Sequence, residues 1–333
     1  MSRSSCSLLR VHLAHPPPGD ALRTLEDGLD PGVRLTLGPA DPAPETEILI
    51  SGRPSQEQLK ACRRLRALII PYAGLPAPTR DLLLAELPTL EVHNLHHNAA
   101  AAAELAVSLM LAAAKTLLPV DRQFRQHNWR SHYEGALTTL LDGKLALILG
   151  LGAIGTRLAA VCRALGMDVH AIRKHANLPG PQGVTVHPVS AIDAVLPQAD
   201  VLLICLPLTL DTEGLLGEHQ LGLLRPSSVL VNVARGAIVD EEALYRALSG
   251  RRIAAAGIDV WYRYPSTSEE RENTPPSRFP FHELDNIVMS PHRGGAYRAE
   301  ELEAQRMSDL VTTLNALARG MTVPHRVDVR AGY

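Results

Sequence analysis

Three glycines, Gly150, Gly152 and Gly155, follow one another in the spacing GxGxxG. They come directly after the apolar run Lys144–Leu149 and open the run Ile154–Leu165, whose apolar residues recur at helical spacing. In such a strand–turn–helix the first glycine permits the tight turn, the second lets a pyrophosphate approach the backbone, and the third allows close packing. The pattern predicts a dinucleotide site, and a glycine turn of purely structural meaning is the alternative.

The start of this helix and the end of the next strand indicate which dinucleotide binds. The backbone N–H groups of Ala153 and Ile154 would point at the phosphates. About twenty residues on, an Asp or Glu is expected to bind the adenosine ribose. Here the predicted strand Asp168–Ile172 ends in Arg173 and Lys174 instead. Cations cannot accept from ribose hydroxyls but can pair with a 2′-phosphate. We therefore expect NADP in preference to NAD, with a solvated strand end as the other interpretation.

Several further stretches resemble the D-isomer-specific 2-hydroxyacid dehydrogenase family. Besides the glycine turn and the segment Asn98–Glu104, they are Ala199–Thr209 (ADVLLICLPLT), Val231–Asp240 (VNVARGAIVD), Gly257–Trp261 (GIDVW) and Ser290–Gly295 (SPHRGG). They span most of the chain in the family's order. The resemblance implies two similar α/β domains with the active site between them, and hydride transfer between NAD(P) and a small 2-keto or 2-hydroxy acid, of the glyoxylate or hydroxypyruvate type.

The same resemblance implies a catalytic arginine at Arg235 and a catalytic histidine at His292. The chemistry suits both residues. A guanidinium can hold the carboxylate of a 2-keto acid and polarise the adjacent carbonyl. Hydride addition leaves an alkoxide, which an imidazolium can protonate near neutral pH. The alternatives are a surface arginine in a turn and a core histidine with satisfied hydrogen bonds.

The resemblance also implies contacts to the cofactor and the substrate. Asp259 would accept a hydrogen bond from the nicotinamide amide. The remaining cofactor contacts would be Leu206, Pro207, Val233, Ala234 and Gly294. Backbone N–H groups at a strand end would hold the substrate carboxylate, and Asn98 would lie near the substrate. The residues of that strand end are Tyr72, Ala73, Gly74 and Leu75.

Tyr264 departs from the family's pattern. The family usually has a Glu five residues after the Asp of this motif, hydrogen-bonded to the catalytic histidine. A neutral phenol cannot stabilise an imidazolium as a carboxylate does. Either Tyr264 takes that place in catalysis, or an acid of the following loop folds back. The loop acids are Glu269, Glu270 and Glu272. The formate dehydrogenase branch carries a neutral Gln there, so formate or phosphite oxidation and a non-catalytic NAD(P) sensor remain alternatives.

The histidines of the segment His93–His97 have two interpretations. A metal site is disfavoured because helical metal pairs are spaced i, i+4, and no carboxylate or cysteine adjoins these histidines in the segment. Polar lining of a cleft between the domains is the favoured interpretation, and no metal is expected. Cys205, on a strand that faces the nicotinamide in the family, is expected to be a packing residue with an oxidisable thiol as the alternative.

Composition limits the class of protein. The chain has 333 residues, 20% charged and 46% hydrophobic, with a formal net charge of −2. No block of like charge points to nucleic acid or an anionic membrane. Four cysteines without a CxxC pair indicate reduced thiols, and Met1–His15 lacks a signal-peptide core. We expect a cytoplasmic protein whose partner is a small carboxylate substrate.

The elements that must position these residues alternate strand and helix, which predicts parallel sheets covered by helices. Expected strands are Ser7–Leu13, Val33–Leu37, Glu47–Ser51, Ala67–Pro71, Leu90–Leu95, Lys144–Leu149, Asp168–Ile172, Asp200–Cys205, Ser228–Val233, Ala254–Asp259 and Asn286–Met289. Expected helices are Ser55–Leu65, Thr79–Leu87, Asn98–Leu118 (buried rather than membrane-spanning, with Asn98 as N-cap), Ile154–Leu165, Ile192–Leu196, Glu218–Leu224, Glu241–Ser249 and Arg298–Ala318.

The fold class is therefore α/β with two doubly wound domains and a cleft between them. Residues 1–98 and 297–333 are expected to form a flavodoxin-like substrate domain, and residues 99–296 a Rossmann nucleotide-binding domain. Two stretches lack a regular pattern. Pro119–Asp142 is expected to be an extended arm, in the place of the family's dimer arm, which predicts a homodimer. Trp261–Leu284 is expected to be a long functional loop.

Overall fold

The fold is described from a computed structural model, which describes residues 8–134, 138–295 and 300–333. The chain divides into two compact units. Unit 1 comprises Met1–Asn98 and Ala296–Tyr333, and unit 2 comprises Ala99–Gly295.

Regular elements alternate as in α/β proteins. The strands are β1 Leu9–Leu13, β2 Val33–Leu37, β3 Ile48–Ile50, β4 Ala67–Ile70, β5 Glu91–Asn94, β6 Leu145–Leu149, β7 Asp168–Ile172, β8 Thr185–His187, β9 Val201–Ile204, β10 Val229–Asn232, β11 Ala255–Ile258 and β12 Ile287–Met289. The helices are α1 Asp20–Gly28, α2 Gln56–Ala61, α3 Ala77–Glu86, α4 Ala99–Ala114, α5 Leu117–Phe124, α6 Arg130–Glu134, α7 Ala153–Ala164, α8 Ile192–Val195, α9 Glu218–Leu223, α10 Glu241–Ser249 and α11 Glu300–Ala318.

Unit 1 contains a five-stranded parallel sheet in the order β2-β1-β3-β4-β5. This is the flavodoxin-like order expected from the sequence. Strands β3 and β4 are buried along their whole length because helices cover both faces of the sheet. Leu25 of α1 and Leu310 of α11 pack into the core on one face, and Leu59 of α2 and Leu83 of α3 pack on the other.

Unit 2 contains a seven-stranded parallel sheet in the order β12-β11-β10-β9-β6-β7-β8. The order reverses between β9 and β6, as in the Rossmann fold, and ligands bind outside the carboxyl ends of strands at such a point. Strands β9, β10 and β11 are fully buried. The Ala-rich α4 packs against β10 and β11. Glycine at position 257 of β11 permits the close approach, because a Cβ added there would lie 2.7 Å from the Leu109 Cβ.

The structure corrects several expected elements. Helix α1 was not anticipated because it is mostly polar and buries only Leu25. Strand β8 was not anticipated because it is a three-residue edge strand. The long Ala-rich helix ends at Ala114, and Thr116 adopts a left-handed conformation (φ 48°) that breaks it from α5.

The arm expected at Pro119–Asp142 is partly helical, and its described helices contain no buried residue. Most of α5 and all of α6 lie within it, and Pro119 is tolerated because it falls in the first turn of α5. The irregular segment Trp261–Leu284 contains only two short 3₁₀ turns. Residues 135–137, which belong to the expected arm, lie outside the described part of the chain, as do the first two residues of the helix expected at Arg298–Ala318.

Among the described residues, no single helix is both long enough and apolar enough to cross a membrane. Helices α4 and α5 pass such a test only as a pair, and the pair is bent by 65°. Eight residues of α4 are buried against the protein's own core.

Candidate active site

The glycine turn between β6 and α7 has the geometry that a pyrophosphate requires. Gly150 has φ +97°, which only glycine adopts without strain. A Cβ at Gly155 would lie 2.0 Å from the Gly150 carbonyl oxygen, so this position must be glycine for the turn to close. Gly152 has an ordinary φ of −90° and nothing within 4 Å of its Cβ position. The structure itself does not demand glycine at Gly152, and the open space beside it fits an approaching phosphate.

The other expected residues of unit 2 lie along the same edge of the sheet, because the strands are parallel and their carboxyl ends meet there. The segments that follow β12, β11, β10, β9, β6 and β7 carry, in that order, His292, Asp259, Arg235, Leu206, Gly150 and Arg173. The glycine turn therefore lies on the side of β7, and the ionisable groups lie on the side of β12. An extended dinucleotide fits along such an edge.

Arg235 is positioned by the turn that follows β10. The Asn232 side chain accepts from the Ala234 N–H (3.0 Å) and donates to the Arg235 carbonyl (3.0 Å). A Cβ at Gly236 would lie 2.5 Å from the Trp261 carbonyl oxygen, so glycine is needed for the backbones to approach. The Arg235 side chain is exposed, and its Nη1 donates to the Ala234 carbonyl (2.6 Å).

The loop bearing His292 is held by Asp259, which is buried. One carboxylate oxygen accepts from the Ser290 hydroxyl (2.5 Å) and the Arg293 N–H (2.6 Å), and the other accepts from the Gly294 N–H (2.8 Å). His292 itself adopts φ +58°, a conformation that a non-glycine residue needs such support to keep. Asp259 therefore positions the histidine loop, a role that the sequence did not predict. Its contact with a nicotinamide stays a prediction.

Tyr264 lies beside His292, with their ring centroids 5.5 Å apart. The Tyr264 hydroxyl accepts from the Trp261 N–H (3.0 Å). Partial burial and, less strongly, the Arg235 guanidinium lower the pKa of His292 below its usual value, against the opposing effect of the Asp259 carboxylate. Burial raises the pKa of Tyr264, so its phenol is neutral. Arg235, Asp259, Tyr264 and His292 thus form one electrostatic cluster.

The loop acids do not take the place of the missing carboxylate. Glu269, Glu270 and Glu272 form an exposed 3₁₀ turn. The Glu270 carboxylate accepts from the Ser266 N–H (2.6 Å) within the same loop. Across the described residues, no hydrogen bond or ion pair joins these three acids to His292, and Asp259 is the carboxylate whose charge acts on the imidazole. The hypothesis that they fold back onto His292 is wrong for this structure.

Arg173 lies at the end of β7, as expected, but it already holds its own loop. Its Nη2 donates to the Leu178 carbonyl and to the Pro179 carbonyl (3.2 Å), and its Nε is buried without a hydrogen-bond partner among the described residues. Lys174 follows as an exposed residue. A 2′-phosphate bound at the end of β7 would contact the Arg173 guanidinium, which hydrogen bonds to two backbone carbonyls hold in place.

The remaining cofactor candidates line the ends of β9 and β10. Val233 and Ala234 are buried, Leu206 is half-buried and Pro207 is exposed. Cys205 is a packing residue: its Sγ donates to the Gly150 carbonyl (3.1 Å), and burial raises its pKa to about 12. The thiol is therefore protonated at neutral pH, which lowers its reactivity.

In unit 1 the segment Tyr72–Leu75 follows β4 and is half-buried, with Gly74 at φ +85°. Asn98 does not cap α4 through its oxygen, since Oδ1 accepts no hydrogen bond within the described chain. His93 is a core residue whose ring nitrogens lie 3.0 Å from the Pro324 carbonyl and 3.0 Å from the Glu91 carboxylate. The His96 ring stacks on the His325 ring at 4.1 Å.

Sequence reasoning missed two positioning residues of unit 2, Asn232 and Ser290. Both are buried polar residues at strand ends, adjacent to Arg235 and His292 in the motifs VNVARG and SPHRGG. A polar residue that ends an apolar run beside a catalytic candidate is the signal that would have found them.

Comparison with known proteins agrees with this architecture. Residues 107–294 match the family model described as D-isomer specific 2-hydroxyacid dehydrogenase, NAD binding domain. The chain is 32% identical over 277 residues to a D-3-phosphoglycerate dehydrogenase of Archaeoglobus fulgidus, covering 82% of this chain and 49% of that protein. It is 34% identical over 235 residues to a glyoxylate reductase of Aeropyrum pernix, covering 68% and 66%.

Among solved structures, a D-isomer specific 2-hydroxyacid dehydrogenase of Xanthobacter autotrophicus in complex with NADPH and MES superimposes with a TM-score of 0.79 at 25% identity, covering 98% of this chain and all of that one. The chain spans about half the length of the phosphoglycerate dehydrogenases that it matches. With the family model covering more than half of its residues, the chain belongs to the D-isomer specific 2-hydroxyacid dehydrogenase family.

Proposed function

We propose that the protein is an NADP-preferring oxidoreductase that transfers hydride between its cofactor and a small 2-keto or 2-hydroxy acid, of the glyoxylate or hydroxypyruvate type. The observation that carries the proposal is the cluster of Arg235, Asp259 and His292 on the same sheet edge as the Gly150–Gly155 turn. Membership of the family supports it, as does the glyoxylate reductase of Aeropyrum pernix among the relatives.

Each residue of the cluster has a distinct chemical task. The Arg235 guanidinium binds the substrate carboxylate and polarises the carbonyl. The His292 imidazolium donates its proton to the oxygen on which negative charge develops, or accepts it in the oxidative direction. Asp259 keeps the His292 loop in place and favours the charged imidazole by its negative charge. A bound nicotinamide supplies or accepts the hydride.

Tyr264 stands where the family usually has a glutamate, and this favours a second candidate, oxidation of a small anion such as formate or phosphite. Formate oxidation to carbon dioxide releases its hydride without protonating an alkoxide, so it makes less demand on an acid at His292. A non-catalytic NAD(P) sensor is the third candidate, and the retention of Arg235 and His292 in one cluster argues against it.

A panel of substrates distinguishes the three candidate functions. NADPH and NADH oxidation is followed with glyoxylate, hydroxypyruvate and larger 2-keto acids, and NADP and NAD reduction is followed with formate and phosphite. Turnover of a 2-keto acid is expected, and Arg235→Gln should remove it. Turnover of formate or phosphite alone would favour the second candidate. Cofactor binding without turnover of any acid would favour the sensor.

NADP is the proposed preference because a cation stands at the end of β7 in place of an acid. Arg173 has a buried Nε–H with no partner among the described residues, which a 2′-phosphate oxygen can accept from. The bound NADPH of the Xanthobacter autotrophicus structure is consistent with such a preference in this family.

A homodimer in the cytoplasm is the proposed state of assembly. Helices α5 and α6 and the loop between them expose the large aromatic side chains Phe124, Trp129 and Tyr133, an apolar surface of the kind that marks interaction sites. Phe124 and Trp129 pack edge to face with ring centroids 4.8 Å apart, and they line a shallow groove with Val120 and His132. Aromatic residues of this kind anchor protein interfaces.

A further inference from the structure

Four buried polar side-chain atoms in unit 1 make no hydrogen bond with any described residue. One is Oγ of Ser51, and the other three are Nδ1 of His97, Oδ1 of Asn98 and Nε of Arg306. His97 and Asn98 follow β5, and Arg306 lies in the second turn of α11. Buried polar groups without partners cost free energy, and each one in a folded protein calls for an explanation. Leu95 and Met307, which lie beside these segments, belong to one apolar core, so the atoms of His97, Asn98 and Arg306 together indicate a bound group that pairs with all three.

The charge of Arg306 acts on the His97 imidazole. Burial first, and then the positive charges of Arg306 and His96, lower the pKa of His97 to about 4. The imidazole of His97 is therefore neutral at neutral pH, while Arg306 carries the positive charge. The Arg306 Nη2 donates to the Glu303 carboxylate (2.5 Å), which leaves its Nε–H for another acceptor. The other titratable groups at the cluster are His96, stacked on His325, and Asp309.

The placement in the sheet also fits a ligand site. Strands β4 and β5 are parallel neighbours, with Ile70 paired to Asn94. The segments that follow them, Tyr72–Leu75 and His96–Asn98, consequently leave the same edge of the unit 1 sheet. The carboxyl edge of a parallel sheet is where ligands bind in such folds.

The three atoms define the chemistry of the ligand. The Arg306 Nε–H donates, a neutral imidazole can carry its proton on Nδ1 and donate as well, and the Asn98 carboxamide oxygen accepts. Two donors and one acceptor complement a carboxylate that carries a hydroxyl group. We propose that His97, Asn98 and Arg306 bind a small hydroxy-carboxylate in unit 1, with Arg306 and His97 holding the carboxylate and Asn98 accepting from the hydroxyl. The choice of a hydroxy acid rests on the proposed function.

The test measures binding in the full-length protein without cofactor, by NMR of ¹⁵N-labelled histidine side chains, with the His97 signals assigned from the His97→Gln variant. Glycolate is the probe, and acetate is the matched probe without the hydroxyl. We expect glycolate to shift the His97 signals and to raise the His97 pKa, because a bound anion favours the imidazolium. Acetate should bind at least about tenfold more weakly.

The variants separate the site from its surroundings. Arg306→Gln should weaken glycolate binding by about tenfold or more, and Arg306→Lys should also weaken it, because lysine keeps the charge but lacks the Nε–H. Arg319→Gln is the control: Arg319 follows the same helix and pairs with the Asp30 carboxylate at 3.0 Å. It should bind glycolate as the wild type does. Circular dichroism identifies any variant that fails to fold.

Unchanged His97 signals in glycolate would overturn the proposal, and so would wild-type binding by both Arg306 variants. Cofactor turnover measured on the same samples keeps the two proposals distinct. Arg306-dependent glycolate binding without turnover of any acid would leave this site standing and count against the proposed function. Turnover of a 2-keto acid without any effect of glycolate on the His97 signals would support the proposed function and count against this site.

Discussion

At the scale of single residues, His292 works in an environment that opposes its protonation. Partial burial and the Arg235 guanidinium lower its pKa, and Asp259 is the described residue that counters them. Tyr264 contributes a ring contact at 5.5 Å and a neutral phenol already engaged by the Trp261 N–H. The side chain next to the imidazole therefore adds no negative charge, and the consequence is measurable as a pH dependence.

Reduction of a 2-keto acid needs the imidazolium, whose fraction falls as the pH rises through the His292 pKa. We predict that kcat/KM for reduction declines with rising pH through a value below the usual histidine pKa of about 6.5. Tyr264→Glu should move that decline to higher pH, since a carboxylate favours the imidazolium. His292→Ala should lose activity by about a hundredfold or more. pH–rate profiles of the wild type, Tyr264→Glu and His292→Ala on one substrate test these expectations.

Tyr264→Phe is the control for that series, because it removes the hydroxyl without adding charge and should leave the pH of the decline in place. An unmoved decline in Tyr264→Glu would show that the ring contact does not place position 264 within electrostatic reach of the imidazole. Near-full turnover by His292→Ala would refute the assignment of the proton donor.

Arg173 is the residue on which cofactor choice is expected to depend. We predict that NADPH binds more tightly than NADH and that Arg173→Asp reverses the order, because a charge-assisted pair contributes about 1.5–3 kcal/mol, or about ten- to a hundredfold in affinity. Titration with both nucleotides measures it.

The substitution also releases the Leu178 and Pro179 carbonyls that Arg173 holds. Arg163→Ala is the matched control, since the Arg163 Nη1 donates to the Gln182 carbonyl (2.7 Å) of the same segment from outside the β7 end. It should keep the NADPH preference. A wild-type preference for NADH would contradict the assignment.

At the scale of elements, two glycines of the turn between β6 and α7 have different roles. Gly155 is required by the fold, whereas Gly152 is expected to be required by the ligand. Gly155→Ala would place a Cβ 2.0 Å from the Gly150 carbonyl, and we predict a loss of about 1–3 kcal/mol in the free energy of unfolding. Gly152→Ala meets no atom within 4 Å, so stability should change by no more than about 0.5 kcal/mol. Its cofactor affinity should nevertheless fall by at least about tenfold.

Denaturant unfolding and nucleotide titration of both variants measure the two effects. Gly222→Ala in α9 is the control, because its Cβ position is also open and it lies away from the turn. If Gly152→Ala bound the cofactor as tightly as the wild type, the pyrophosphate would not approach the backbone at Gly152.

At the scale of the whole molecule, the exposed aromatic residues of α5, α6 and the loop between them predict self-association. Trp129 is 60% exposed and Tyr133 is 78% exposed, high values for large aromatic side chains. We predict a mass of twice 36.0 kDa in solution, and a dimer dissociation constant raised by at least about tenfold in the double variant Trp129→Ser, Tyr133→Ser. Light scattering across a dilution series measures both.

The control is Met321→Ser, which removes another exposed apolar side chain (62% exposed) from unit 1. It should leave the mass unchanged. A wild-type protein that is monomeric at micromolar concentration would exclude this assembly.

The amino-acid sequence by itself determined the parallel sheets and the glycine turn. Runs such as Val201–Ile204 and 229–231 are apolar throughout because parallel strands are buried on both faces, so the sequence alone indicates where these strands lie. The turn at Gly150–Gly155 is readable because its geometry admits only glycine at two positions. Helix α1 and strand β8 were not predicted, because few of their residues are buried and their sequences therefore lack a periodic pattern of apolar residues.

Tertiary structure alone decided which groups meet. Asp259 lies more than thirty residues before Arg293 and Gly294 in the chain, and only folding showed that its carboxylate holds the His292 loop. The structure likewise showed that the Arg173 side chain donates to the Leu178 carbonyl and that the Glu270 carboxylate accepts from the Ser266 N–H of its own loop. Residue spacing fixes which side chains reach the edge of a sheet, whereas the direction of each side chain depends on packing and on hydrogen bonds with segments distant in the chain.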